Sequence, residues 1–265
     1  MAMDNIIPPR LYVNGFPKSG LHLAMRMTLP LFQQAREETV WFGTNAWTTE
    51  RHNLDNAVDY FEEIEPGELL MGHTGYMPEL KDLFNTFHIL MLLVYRDLRD
   101  VAISQTYHIL DDQGGMLNHP WRDRYSTDFD EALLQVIEGM PELPGVVERW
   151  ETYMPWMELP FVQTVRFEDM IKKPHWAAKR FFEWIYMVAI LQSGYEAAYI
   201  DKDLKQDIIK GLVFEMGQRH LSPTFRKGKT GSWKREFKPE HVKAFKKTDP
   251  DNVLMKLGYV KKEDW

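Results

Sequence analysis

Residues 11–29 read Leu11-Tyr-Val-Asn-Gly-Phe-Pro-Lys-Ser-Gly-Leu-His-Leu-Ala-Met-Arg-Met-Thr-Leu29. The apolar triplet from Leu11 ends at Asn14-Gly15, a pair that stops a strand. From Leu21 onward, Leu21, Ala24, Met25, Thr28 and Leu29 recur at helical spacing. The order is strand, glycine-bearing loop, helix. In the loop Gly15-Phe16-Pro17-Lys18-Ser19-Gly20, backbone amides and the positive end of the helix dipole suit an anion, and Lys18 adds a mobile charge. Pro30, lacking an N–H, should end or kink the helix.

Outward from this unit, further strands are expected at Thr39–Phe42, Glu68–Met71, His88–Tyr95 and Phe161–Phe167. Helices are expected at Asp55–Ile64, Asp100–Leu110, Asp128–Gly139, Val146–Met157, Pro174–Leu191 and Lys202–Met216. The stretch from His88 to Tyr95 is strongly apolar on both faces, which suits a strand covered from both sides. Alternating strands and helices predict an α/β fold in three layers, a central parallel β-sheet flanked by helices. With 44% hydrophobic residues, the 265-residue chain can form one domain spanning 1–265.

The longest apolar run, Phe181–Leu191, contains Glu183 and falls short of the roughly 20 residues that cross a bilayer. It reads as a buried helix, so no membrane span is expected. No apolar leader precedes Arg10 and the chain has no cysteine, which predicts a cytoplasmic location. A net charge of −7 argues against nucleic acid as a partner, although Arg226–Lys247 holds nine Lys or Arg against two Glu. The half from Lys238 to Lys247 suits a solvated helix face. The half from Arg226 to Lys234 carries glycines and a tryptophan, which solvated charge runs seldom do.

Two more motifs favour an anionic ligand. Arg96-Asp-Leu-Arg-Asp100-Val-Ala-Ile-Ser104 starts where the most apolar strand ends, with Asp97 or Asp100 placed to cap the next helix. Arg96 offers forked donors and Ser104 a hydroxyl, a pairing suited to an isolated phosphomonoester. In Phe225-Arg-Lys-Gly-Lys-Thr-Gly-Ser-Trp-Lys234, two glycines let a cationic backbone wrap an anion closely. The first loop is not the triphosphatase P-loop, because Leu21-His22 follow Gly20 where Lys-Ser/Thr would stand. No metal-ligand cluster is visible, and no metal is expected.

Together and in this order, the three motifs resemble the sulfotransferase family that uses 3′-phosphoadenosine 5′-phosphosulfate. Val165-Arg-Phe-Glu-Asp-Met170 and Leu257-Gly-Tyr259 are similar to later stretches of that family. The resemblance implies a P-loop-like phosphosulfate-binding loop in which Lys18 and the amides of Ser19 and Gly20, after Pro17, hold the 5′-phosphosulfate. It implies that Arg96, Ser104, Arg226, Lys227 and Gly228 hold the 3′-phosphate, and that His73, after the third strand, is the general base. The implied reaction is in-line transfer to an acceptor hydroxyl or amine, with 3′-phosphoadenosine 5′-phosphate (PAP) as product and Lys18 and Ser104 at the reacting end.

The chain departs from the family at Leu21-His22-Leu23, where two threonines and a tryptophan are usual. His22 is the candidate replacement donor and Phe214 the candidate adenine platform. Met71 stands where a lysine is frequent, Gly231-Ser232-Trp233 replaces Gly-Asp-Trp, and the family's dimerisation motif is not legible in Lys234–Glu240. Phe16, Trp41, Trp47, Tyr76, Tyr107 and His108 are candidates for a pocket taking a small acceptor with an apolar or aromatic part. A nucleotide or small-molecule kinase and a catalytically silent nucleotide-binding protein are the competing readings.

Overall fold

The computed structural model describes residues 7–32, 34–40, 61–111, 122–141, 143–193, 201–218, 228–262 and 265, with the backbone alone for 34–40 and 193. A five-stranded parallel sheet is built from β1 (Arg10–Gly15), β2 (Gln34–Val40), β3 (Glu68–Gly72), β4 (Ile89–Tyr95) and a strand over Val162–Arg166. The spatial order is β2, β3, β1, β4, then Val162–Arg166. β1 therefore lies at the centre, in register with β3 (Asn14 opposite Gly72) and with β4 (Gly15 opposite Val94).

Strand alternation explains the three layers. Tyr12, Leu70, Met91 and Leu93 face one side and join a core containing Trp150, Trp156 and Phe245. Leu11, Val13, Leu69, Met71, Leu90, Leu92 and Val94 face the other and join Ala24, Met27, Phe181 and Leu212. Every residue of β4 is buried, as a central parallel strand requires. The first side is covered by α2 (Pro78–Phe87), α3 (Leu98–Leu110) and α4 (Phe129–Glu138), the second by α1 (Leu21–Thr28) and two later helices, Pro174–Ser193 and Lys202–Gly217.

Within the described residues the expected elements are present with four corrections. The second strand starts at Gln34 rather than Thr39; among the described residues it pairs only with β3, and such an edge strand needs no continuous apolar run. His88 is not in β4 but caps α2 in a left-handed conformation, φ 53°. Helix α2 itself escaped the sequence because its buried stripe is only Leu80 and Phe84. The helix expected over Val146–Met157 stops at Glu151 and resumes as a 3₁₀ turn, Met154–Glu158, since Pro155 cannot donate to the ladder. Trp41, Phe42 and most of Asp55–Ile64 lie outside the described residues.

The Pro174–Ser193 helix buries Phe181, Phe182, Ile185 and Ala189 while Met187 and Leu191 stay exposed, so the apolar run is one-sided. Among the described residues no helix is long and apolar enough to cross a membrane. The basic run from Lys238 falls on a helix, Pro239–Thr248, that buries His241, Ala244 and Phe245 and leaves Lys243, Lys246 and Lys247 exposed. It is a solvated face.

Candidate active site

The loop between β1 and α1 is built around two left-handed residues, Lys18 at φ 69° and Gly20 at φ 102°. Left-handed backbone at a lysine is unusual and costs on the order of 1 kcal/mol. The turn is closed by the Ser19 amide donating to the Phe16 carbonyl at 2.9 Å. The buried Ser19 hydroxyl donates to the Val94 carbonyl at 3.1 Å, tying the loop to the end of β4. A Cβ at Gly20 would stand 2.5 Å from Phe167 Cδ2, so glycine is needed there for space as well as for φ. Beyond it, the amides of Leu23 and Ala24 donate to the Gly20 carbonyl at 3.0 and 3.1 Å, and the start of α1 carries the positive end of the helix dipole.

His73 follows β3, and its Nδ1 is hydrogen-bonded to the carbonyl of Gly15. A carbonyl only accepts, so Nδ1 carries the proton and Nε2 is the basic nitrogen. Burial pushes the imidazole down to about 4; the Gly15 carbonyl opposes this, and the charges of His22 and Lys18 add to it. His73 is therefore neutral at physiological pH. His22, on the first turn of α1, is also pushed down, by burial and then by Lys18 and Arg26.

The residue after His73 is clamped. The Asn14 side chain donates to the Thr74 carbonyl at 2.8 Å and accepts the Thr74 amide at 2.9 Å. Trp156 Nε1 donates to the same carbonyl at 3.1 Å, and the Tyr12 and Thr74 hydroxyls lie 2.6 Å apart. All four side chains are fully buried.

Arg96 joins the first loop to the third motif. Its guanidinium donates to the Lys18 carbonyl at 3.2 Å and to the Lys229 carbonyl at 2.9 Å, and lies 4.4 Å from the centre of the Phe167 ring. Of the two candidate caps, Asp97 serves α3, accepting the Arg99 amide at 3.1 Å. Asp100 instead accepts the amides of Gly231 at 2.6 Å and Trp233 at 3.0 Å. Burial pushes its carboxyl up, against the pull of Arg96 and the two amides.

The four charged residues from Arg96 to Asp100 thus part company. Arg99 does not point to the loop: it pairs with Asp97 through two bonds of 2.9 and 2.7 Å and lies 3.7 Å from the centre of the Trp233 ring and 4.4 Å from that of Trp265. Glu168 accepts the Asp97 amide at 3.3 Å and the Tyr259 hydroxyl at 2.8 Å. Arg166 donates to the Tyr95 hydroxyl at 2.7 Å and to the Leu257 carbonyl. The stretches 165–170 and 257–259, far apart in sequence, are therefore in direct contact. Reading them separately missed this.

The remaining candidates are spread differently. Pro17 and Leu21 are buried at the two ends of the loop. Ser104 is half-buried on α3, and Gly228 is left-handed at φ 56°. Phe16 is 1% exposed and packs edge-on against Trp150 and Tyr153. Tyr76 packs edge-on against Trp156, Tyr107 lies against Phe129, and His108 is half-buried in the last turn of α3. Phe214 is 64% exposed. Trp47, Arg226 and Lys227 lie outside the described residues. Among the described residues no three His, Asp or Glu side chains gather as a metal site.

A sulfotransferase domain model matches residues 8–249, and the chain belongs to the sulfotransferase family. Among solved structures it is similar to mouse sulfotransferase SULT7A1 complexed with PAP, at 14% identity and TM-score 0.63, covering 95% of this chain and 89% of that one. It is also similar to retinol dehydratase in complex with retinol and PAP, at 15% identity and TM-score 0.56, covering 93% and 82%. A second structure of retinol dehydratase, with androsterone and inactive cofactor PAP, matches at 14% identity and TM-score 0.55, covering 92% and 80%. No curated protein sequence matches the chain. At these identities the solved structures establish the shared fold.

Proposed function

We propose that the chain moves the sulfuryl group of 3′-phosphoadenosine 5′-phosphosulfate to the hydroxyl, or amine, of a small acceptor with an apolar or aromatic part, in the cytoplasm. The observation that carries this reading is the bond between His73 Nδ1 and the carbonyl of Gly15: the residue that opens the anion loop also selects the tautomer of the base. The kinase reading loses its ground to the family match. The acceptor class draws support from the steroid and retinoid named in the complexes of the retinol dehydratase neighbour.

The fit of the donor rests on the cradle at Lys18 and Gly20, two left-handed residues between β1 and α1, where the space a Cβ of Gly20 would fill is taken by Phe167. When bound, the donor supplies a sulfuryl group on a phosphosulfate bridge, and PAP remains after transfer. Lys18 and the amide of Gly20 at the start of α1 bind the 5′ end, the Ser19 amide being taken up by the Phe16 carbonyl, and Lys18 offsets the charge that grows on the departing oxygen. Neutral His73 accepts the acceptor's proton at Nε2. Arg96, Ser104 and Gly228, with Arg226 and Lys227, hold the 3′-phosphate. The exposed ring of Phe214 offers a face to the adenine.

Single-turnover transfer of labelled sulfate to a panel of phenols, alcohols and amines tests the reading, with PAP affinity measured separately. His73→Ala is expected to slow transfer by about 10²- to 10⁴-fold with PAP binding intact. PAP should also stabilise the fold more than ADP does. Equal stabilisation by the two nucleotides would remove the proposed 3′-phosphate site, and PAP binding without transfer to any acceptor would favour a silent nucleotide-binding protein.

A further inference from the structure

We propose that Asn14 is a positioning residue for His73, holding the histidine in its reactive orientation by using its side chain as one more rung of the sheet. The inference rests on the reading of His73 as the base and adds to it the group that aims it.

Asn14 stands opposite Gly72 in the parallel β1–β3 register, the last pair of that ladder. A ladder alone would release the chain after Gly72. Here the Asn14 side-chain amide presents one donor and one acceptor to the peptide groups of Thr74, at 2.8 and 2.9 Å, as a neighbouring strand would. The same residue thus faces Gly72 through its backbone and binds Thr74 through its side chain. His73 is the single residue between those two points, and its ring meets the carbonyl of Gly15, the residue next to Asn14.

The clamp is dry and doubly supported. Asn14 and Thr74 have no solvent exposure, and Trp156 and Tyr12 hold Thr74 from the same core. A primary amide suits this place because it both donates and accepts without charge, and a buried peptide group left unpaired is costly. Asn14 touches no reacting atom. Its effect passes through the backbone of Thr74 to the direction of the imidazole, where a displacement of about 1 Å costs on the order of 10² in rate.

The test compares Asn14→Ala, Asn14→Asp and His73→Ala in the full chain. Asn14→Asp preserves shape and the acceptor for the Thr74 amide, and when ionised turns the donor into an acceptor facing a carbonyl. It carries the test if Asn14→Ala fails to fold. Both Asn14 variants are expected to lower kcat by about 10- to 100-fold while PAP affinity stays near wild type. The structural readout is the tautomer of His73 in ¹⁵N-histidine spectra: a single Nδ1–H form in the wild type, a mixture in the variants. Wild-type kcat in a folded Asn14 variant, or a fall in kcat with the His73 tautomer unchanged, overturns the proposal. Near-wild-type transfer by His73→Ala would instead defeat the reading of His73 as base.

Discussion

The carboxylate of Asp100 accepts the backbone amide of Gly231 at 2.6 Å, a bond between the first turn of α3 and a loop 131 residues later. The same carboxylate takes the amide of Trp233, so an acid inside the second motif sets the shape of the third. Arg96, one turn earlier, reaches the Lys229 carbonyl in that loop and the Lys18 carbonyl in the first. The three motifs are one assembly held by side-chain to backbone bonds.

Removing this carboxylate should loosen the third motif. Asp100→Ala strands two amides, and each unsatisfied buried donor costs about 1–3 kcal/mol. Asp100→Asn keeps one acceptor oxygen and should lose less. Both variants are expected to bind PAP more weakly, by roughly tenfold in the alanine case, as titration calorimetry would show alongside denaturant unfolding. Undiminished PAP affinity in both would mean that the loop keeps its shape without Asp100.

Gly20→Ala is expected to be destabilising for two separate reasons. Its φ of 102° is unfavourable for any side chain, and its Cβ would meet Phe167. Phe167→Ala relieves the clash but costs core packing of its own, so the measure is the double-mutant cycle: Gly20→Ala should cost less stability on the Phe167→Ala background than in the wild type, while keeping the backbone cost. A Gly20→Ala change that costs nothing on that background would show that space alone demands glycine.

Lys18→Ala should lower kcat on the order of 10²- to 10³-fold, with a much smaller effect on PAP affinity, since its proposed extra interaction is with charge that appears during transfer. Rapid-quench transfer and equilibrium PAP binding separate the two. Equal losses in both would make Lys18 a ground-state anchor.

His73 gives the pH dependence. Burial holds its folded pKa at about 4 against an ordinary 6.5, so the unfolded chain takes up the proton first. Stability therefore falls as pH drops from about 6.5 toward 4 and levels off below. At about 1.4 kcal/mol per unit the effect is at most about 3.5 kcal/mol, less for a ring that retains some solvent access. In denaturant unfolding His73→Gln should lose less stability than wild type over that range. The acid limb of kcat/KM should lie near pH 4–5; a limb at the ordinary histidine value would mean that the imidazole is better solvated than its packing implies.

Much of this molecule was legible one stretch at a time. Strand periodicity, the apolar run before Arg96 and the glycines around Lys18 are local patterns, and they sufficed for the α/β class; the family was legible in the resemblance of the three motifs, which also supplied the candidate roles of Arg96, Ser104 and His73. The polar edge strand β2 and the thin stripe of α2 were not legible, because pairing and packing with distant partners, rather than their own composition, give them their structure.

The sequence by itself determined the α/β class and marked candidate side chains, because loop glycines, helix starts and apolar runs act within a few residues of themselves; the roles proposed for those side chains came with the family resemblance. Only the tertiary structure decided what those side chains do to each other. That Asp97 caps while Asp100 reaches a loop, that Arg99 lies against two tryptophans while Arg96 bridges two motifs, and that Asn14 holds Thr74 all depend on which strand lies beside which. Hydrogen bonds of about 3 Å have no counterpart in sequence separation, so contacts such as that between positions 14 and 74 leave no local pattern to read.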